Sequence, residues 1–115
     1  MQSYYLASQN IEIDQPKFTG DVHVDVCIIG GGYTGLSTAL YLAKEGVNVL
    51  LLESNKLASG ASGANGGQVS GGMRRDQFYL EKTLGVDYAK VLWGFAKPSN
   101  TKLKILFDKS KFHVD

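Results

Sequence analysis

Residues 27–54, CIIGGGYTGLSTALYLAKEGVNVLLLES, constrain this chain more than any other stretch. An apolar, β-branched run ends on three consecutive glycines. A helical period opens directly after them, and the next apolar run ends on an acidic residue. Residues 22–29 read as a strand that starts half exposed and becomes fully buried. Gly30, Gly31 and Gly32 form the turn. From Tyr33 onward Leu36, Ala39, Leu40 and Ala43 recur at the helical spacing, predicting a helix with one apolar face. Gly46 fits the position just past its end, and residues 47–52 form a second strand. Two strands joined through a helix make a parallel βαβ unit of the α/β class.

Gly30, Gly32 and Gly35 spell G-x-G-x-x-G between a strand and a helix, with Glu53 about 20 residues on. Each glycine has a physical task in this setting. Gly30 permits a tight turn, Gly32 lets a diphosphate reach the backbone, and Gly35 lets helix and strand pack closely. The helix start offers free N–H groups and a partial positive charge. Glu53, at the tip of the second strand, can accept hydrogen bonds from ribose hydroxyls and repels a 2′-phosphate. The pattern predicts a dinucleotide carrying an ADP half. NAD and FAD both satisfy it.

The second glycine cluster separates them. Six of the 14 glycines fall within residues 60–72. An NAD dehydrogenase normally runs from its second strand into another crossover helix, whereas residues 57–72 read as a long Gly/Ser/Asn loop. Such a loop can wrap a diphosphate and the distal half of a longer cofactor. N–H donors would come from residues 63–67 and side-chain donors from Ser62, Asn65 and Gln68.

These two segments, with GASGANGGQ following the βαβ stretch, resemble the N-terminal part of the D-amino-acid oxidase-like FAD-dependent oxidoreductases. The look is closest to the gamma-glutamylputrescine oxidase type of amine oxidase. The resemblance implies a Rossmann-like FAD-binding domain and FAD as cofactor. It also implies a small-molecule amine or amino-acid substrate, oxidised by hydride transfer to the flavin. By resemblance, Gly30, Gly32, Tyr33, Thr34 and Gly35 hold the diphosphate, and Glu53 binds the ADP ribose with Ser54 and Lys56 nearby. Ser62, Asn65, Gly66, Gly67 and Gln68 run toward the flavin ring. Members of this family are several times longer, so the resemblance implies an N-terminal portion: an arm over residues 1–20, a partial FAD-binding domain over 21–115, and no substrate domain. The remainder of its own chain is the expected partner. No residue is assigned as catalytic. The alternatives are a fragment of an NAD-dependent dehydrogenase and a truncated, non-catalytic dinucleotide-binding chain.

Composition narrows the rest. With 115 residues, a net charge of +1 and 43% hydrophobic residues, the chain has the balance of a globular protein. Nothing in it calls for nucleic acid or membrane. No secretory leader is evident, and the single Cys27 fits a reducing compartment, so a cytoplasmic location is expected. Cys27 reads as a packed core thiol and Trp93 as core. His23 and His113 stand alone, without a second ligand at metal spacing, so no metal is expected. Residues 76–97 read as helix broken at Gly85 and opened by Arg74 and Arg75. Pro98 should interrupt it and start a new helical stretch, and residues 111–115 resemble the start of a strand.

Overall fold

The computed structural model describes residues 13–110. Residues 1–12 of the expected arm, and the expected strand over 111–115, lie outside the described residues. The chain divides into two compact units, one reaching to Gly66 and the other beginning at Gly67.

The first unit is the βαβ element. Strand β1 (Val26–Ile29) is followed by helix α1 (Tyr33–Lys44) and strand β2 (Val49–Leu52). The strands pair in parallel, from Val26 opposite Val49 to Ile29 opposite Leu52. The Gly30 N–H extends the ladder to the Leu52 carbonyl at 2.8 Å. Both strands start later than their apolar runs suggest. Ahead of them a side-chain clip joins the backbone bond from the Asp25 N–H to the Asn48 carbonyl: the Asp25 carboxylate accepts from the Asn48 N–H at 3.0 Å, and the Asn48 amide donates to the His23 carbonyl at 3.2 Å.

Burial along β1 alternates. Val26 and Ile28 are half-buried, while Cys27 is exposed and Ile29 is 79% exposed. The expected full burial of this strand, and of the Cys27 thiol, does not occur. Alternate side chains lie on opposite faces, and helix α1 packs on the face that carries Ile28. The half-buried positions of α1 are Gly35, Ala39 and Leu42, while Leu36 and Leu40 remain over a third exposed. A two-stranded sheet is narrower than the apolar face the period predicts, so the helix seats on Gly35, Ala39 and Leu42 and leaves Leu36, Leu40 and Ala43 outside the contact. A Cβ at Gly35 would collide with the Gly30 carbonyl oxygen, which is how close the helix comes to β1. The helix closes as its glycine predicts. Gly46, at φ +81°, donates to the Ala43 carbonyl and Val47 donates to the Leu42 carbonyl, both at 3.1 Å.

The second unit is a helix pair, α2 (Gln77–Leu84) and α3 (Val86–Ser110). Asp76 caps α2, its carboxylate accepting the Tyr79 N–H at 2.8 Å, so Arg74 and Arg75 precede the helix rather than open it. Gly85, at φ +83°, breaks the helices where the sequence predicts. Among the described residues the buried apolar side chains are Ala89 and Ala96, two turns apart on α3. Small residues take the close contact and larger ones flank it, leaving Trp93 46% exposed instead of in a core. Helix α3 also runs unbroken through Pro98. The proline removes the donor that would reach the Gly94 carbonyl, but Gly94 is exposed, so water can serve it. The Ser99 hydroxyl donates to the Ala96 carbonyl at 2.6 Å one turn back. Among the described residues no helix is long and apolar enough to cross a membrane.

Candidate cofactor site

The parallel register places Ile29 beside Leu52, so the glycine turn and Glu53 leave the sheet side by side at its carboxyl edge. In open α/β sheets this is the edge where ligands bind. Gly30 turns the chain at φ +103°, a conformation that side chains resist. Gly31 follows, buried, and donates its N–H to Glu53 Oε2 at 2.7 Å. Its carbonyl accepts the Ala58 N–H at 2.9 Å. Glu53 Oε1 accepts the Asn55 N–H at 2.9 Å and the Ser54 hydroxyl at 3.3 Å.

The Gly31 N–H, seconded by that of Asn55, holds the Glu53 carboxyl below the ordinary carboxylate range. Glu53 is therefore ionised at neutral pH. Glu53 lines the cleft, where its ionised carboxylate can accept from a ribose hydroxyl.

Helix α1 begins beside this carboxylate. Its N-cap, Gly32, has no side chain, and its first turn carries no acidic residue to cancel the positive end of the helix. The loop over residues 57–64 lies against the turn. Ala58 sits in the left-handed region at φ +56°, and Gly63 is held to glycine because a Cβ there would meet the Ala58 carbonyl. Ser62 Oγ accepts the Tyr33 N–H at 3.0 Å. The Asn65 amide donates to the Ser62 carbonyl at 2.7 Å, the Ala61 carbonyl at 3.2 Å and the Tyr33 hydroxyl at 3.3 Å.

Together these groups enclose a cleft of about 230 Å³, lined among others by Gly31, Gly32, Glu53, Asn55, Ala58 and Ser62. Sites for whole drug-sized ligands run from about 300 Å³ upward, so this cleft suits part of a cofactor, a diphosphate with its ribose. The group set fits that part: a helix start with no acidic residue in its first turn for the anion, an ionised carboxylate for the hydroxyls, and a glycine whose missing Cβ leaves room.

Of the residues expected at the site, Gly32, Glu53 and Ser62 line the cleft, and Gly30 shapes the turn behind it. Tyr33 and Thr34 open α1, and Gly35 faces β1 instead of the cleft. Ser54 is turned onto Glu53, Lys56 is exposed, and Asn65 braces the loop. Gly66 ends the first unit, and Gly67 and Gln68 open the second. Two contributors escaped the sequence reading. Gly31 supplies the first hydrogen bond to Glu53, and its only signal was being the middle of three glycines. Asn55 supplies the second and lines the cleft, its signal an amide residue in the turn just after the strand.

The model of the FAD dependent oxidoreductase family matches residues 25–115. Similar curated proteins include the gamma-glutamylputrescine oxidoreductase of Escherichia coli K12, 46% identical over 90 residues, or 78% of this chain and 21% of the relative. The sarcosine oxidase subunit beta of Rhizobium meliloti is 58% identical over 45 residues, 37% of this chain and 11% of the relative. The mitochondrial glycerol-3-phosphate dehydrogenase of Saccharomyces cerevisiae is 42% identical over 73 residues, 64% of this chain and 9% of the relative. The chain thus spans about a fifth of the length of the first and about a tenth of the other two. No solved structure matches it significantly. With the βαβ unit, the glycine turn and the family match in place, the chain belongs to the FAD dependent oxidoreductase family, and its cofactor is FAD.

Proposed function

We propose that this chain is the part of an amine or amino-acid oxidoreductase that holds the ADP half of FAD, in an enzyme of the gamma-glutamylputrescine oxidoreductase kind. The observation that carries the reading is the cleft at the start of α1, where a helix N-terminus with a glycine N-cap and the ionised Glu53 adjoin Gly31 and Gly32. In this reading Gly32 and Ser62 take the diphosphate, and Glu53 takes the ribose hydroxyls and rejects a 2′-phosphate. Asn65 braces the loop, and Gly66, Gly67 and Gln68 carry the chain on toward the flavin end. When bound, the flavin accepts the hydride equivalent taken from the amine carbon. The chain's own residues bind and orient the cofactor, and none of them is assigned to the reacting atoms. We place the protein in the cytoplasm, which the exposed, free Cys27 thiol favours.

A segment exchange tests this. Residues aligned with the Escherichia coli enzyme are transplanted into that enzyme in place of its own segment. The expected product purifies yellow and its flavin is bleached by gamma-glutamylputrescine without oxygen. A folded exchange protein that purifies without flavin would overturn the proposal.

A further inference from the structure

We infer that the side of α3 carrying Tyr88, Val91 and Phe95 is the surface on which the remaining part of the enzyme docks. The inference rests on the reading of this chain as one part of an oxidoreductase, and adds which face meets the rest. Three rows of side chains run along α3. Ala89 and Ala96, seven residues apart, are the buried apolar side chains among the described residues, and half-buried Leu103 is next in their row. Lys90, Lys97 and Lys104 repeat at the same spacing, and all three are exposed. They mark a narrow solvated edge.

Tyr88, Val91 and Phe95 form the third row. Spacings of three and four keep them on one face, about 120° around the helix from the two alanines. They are 73%, 55% and 70% exposed. A face meant for water carries charge, whereas this one carries two aromatic rings and a valine. A helix apolar on two sides and charged along one edge is patterned for the interior of a larger fold. Size decides the occupant. The three side chains leave on the order of 350 Å² in water. A stable dimer covers about 800 Å² on each partner, so this face is too small to hold two copies together. It is wide enough for one further packed element of the same fold. The chain covers 21% of the gamma-glutamylputrescine oxidoreductase, which leaves about four-fifths of that enzyme to supply the element.

The test sets the segment exchange, built with residues 25–115, beside the full chain alone. Val91→Cys and, as a control on the lysine edge, Lys97→Cys are alkylated with iodoacetamide and read by peptide mass. In the full chain the two introduced thiols should react at similar rates. In the exchange protein the thiol at position 91 should slow at least about ten-fold, because it must wait for local opening, while that at 97 keeps its rate. Phe95→Lys should leave urea denaturation and ADP binding of the full chain unchanged, and lower the melting temperature of the exchange protein. Equal rates at both positions in a yellow exchange protein, or a melting temperature that Phe95→Lys leaves alone, would overturn the inference and leave the FAD reading standing. So would a full chain that sediments as a dimer and is split by Phe95→Lys, which assigns the face to a second copy. An unmutated exchange protein that folds without flavin would overturn the FAD reading and this inference with it.

Discussion

Gly32 and Gly35 stand three positions apart and are glycine for different reasons. A Cβ at Gly35 meets the Gly30 carbonyl, part of the backbone that cannot rotate away. A Cβ at Gly32 meets only the end of the Ser62 side chain. Gly35→Ala should therefore destabilise the first unit by about 1–3 kcal/mol, the usual cost of overpacking. Gly32→Ala should leave urea denaturation nearly unchanged and weaken ADP binding. Glu53 gives a prediction in pH. Its carboxyl lies below the ordinary range because of the Gly31 N–H, so its contribution is complete above that range. The contribution is lost as pH falls through the lowered folded-state value. Stability of the unmutated chain should drop in acid over that interval, and Glu53→Gln should flatten that part of the profile. At this scale the motif was legible in the sequence because each glycine's task is fixed by local geometry. The Gly31–Glu53 bond and the bond from Tyr33 to Ser62 were not. They join residues 22 and 29 positions apart, and only the strand register brings these together.

Element ends were legible for the same local reason. Gly46 and Gly85 hold backbone conformations that disfavour other residues, and Asp76 caps with its own side chain. Asp76→Ala should cost about 1 kcal/mol, read by denaturation of the helix pair. Element interiors were less legible. Pro98 read as a stop, yet α3 continues because residues on both sides remain helical and the freed Gly94 carbonyl is exposed. Pro98→Ala restores that missing bond and should stabilise the helix pair, by up to about 3 kcal/mol. An unchanged or lowered denaturation midpoint would argue against a continuous α3. The apolar face of α1 was also misplaced, since period alone does not say how wide a surface the helix will meet.

Across the whole molecule, site and core are unequally developed. The cleft has its turn, its carboxylate and its helix start in place. Yet the buried apolar side chains among the described residues are two alanines, while Ile29 and Phe78 are 79% and 77% exposed. Ligand binding should then be a large part of the stability this chain can show. At a ligand concentration one hundred times Kd, binding adds about 2.7 kcal/mol. The most direct measurement is an equilibrium titration of the full chain with FAD, ADP and ADP carrying a 2′-phosphate. The account predicts that FAD binds with one-to-one stoichiometry, that ADP displaces it, and that the 2′-phosphorylated compound does not compete because Glu53 is ionised. No binding of FAD or ADP, or equal competition by the 2′-phosphorylated compound, would contradict it.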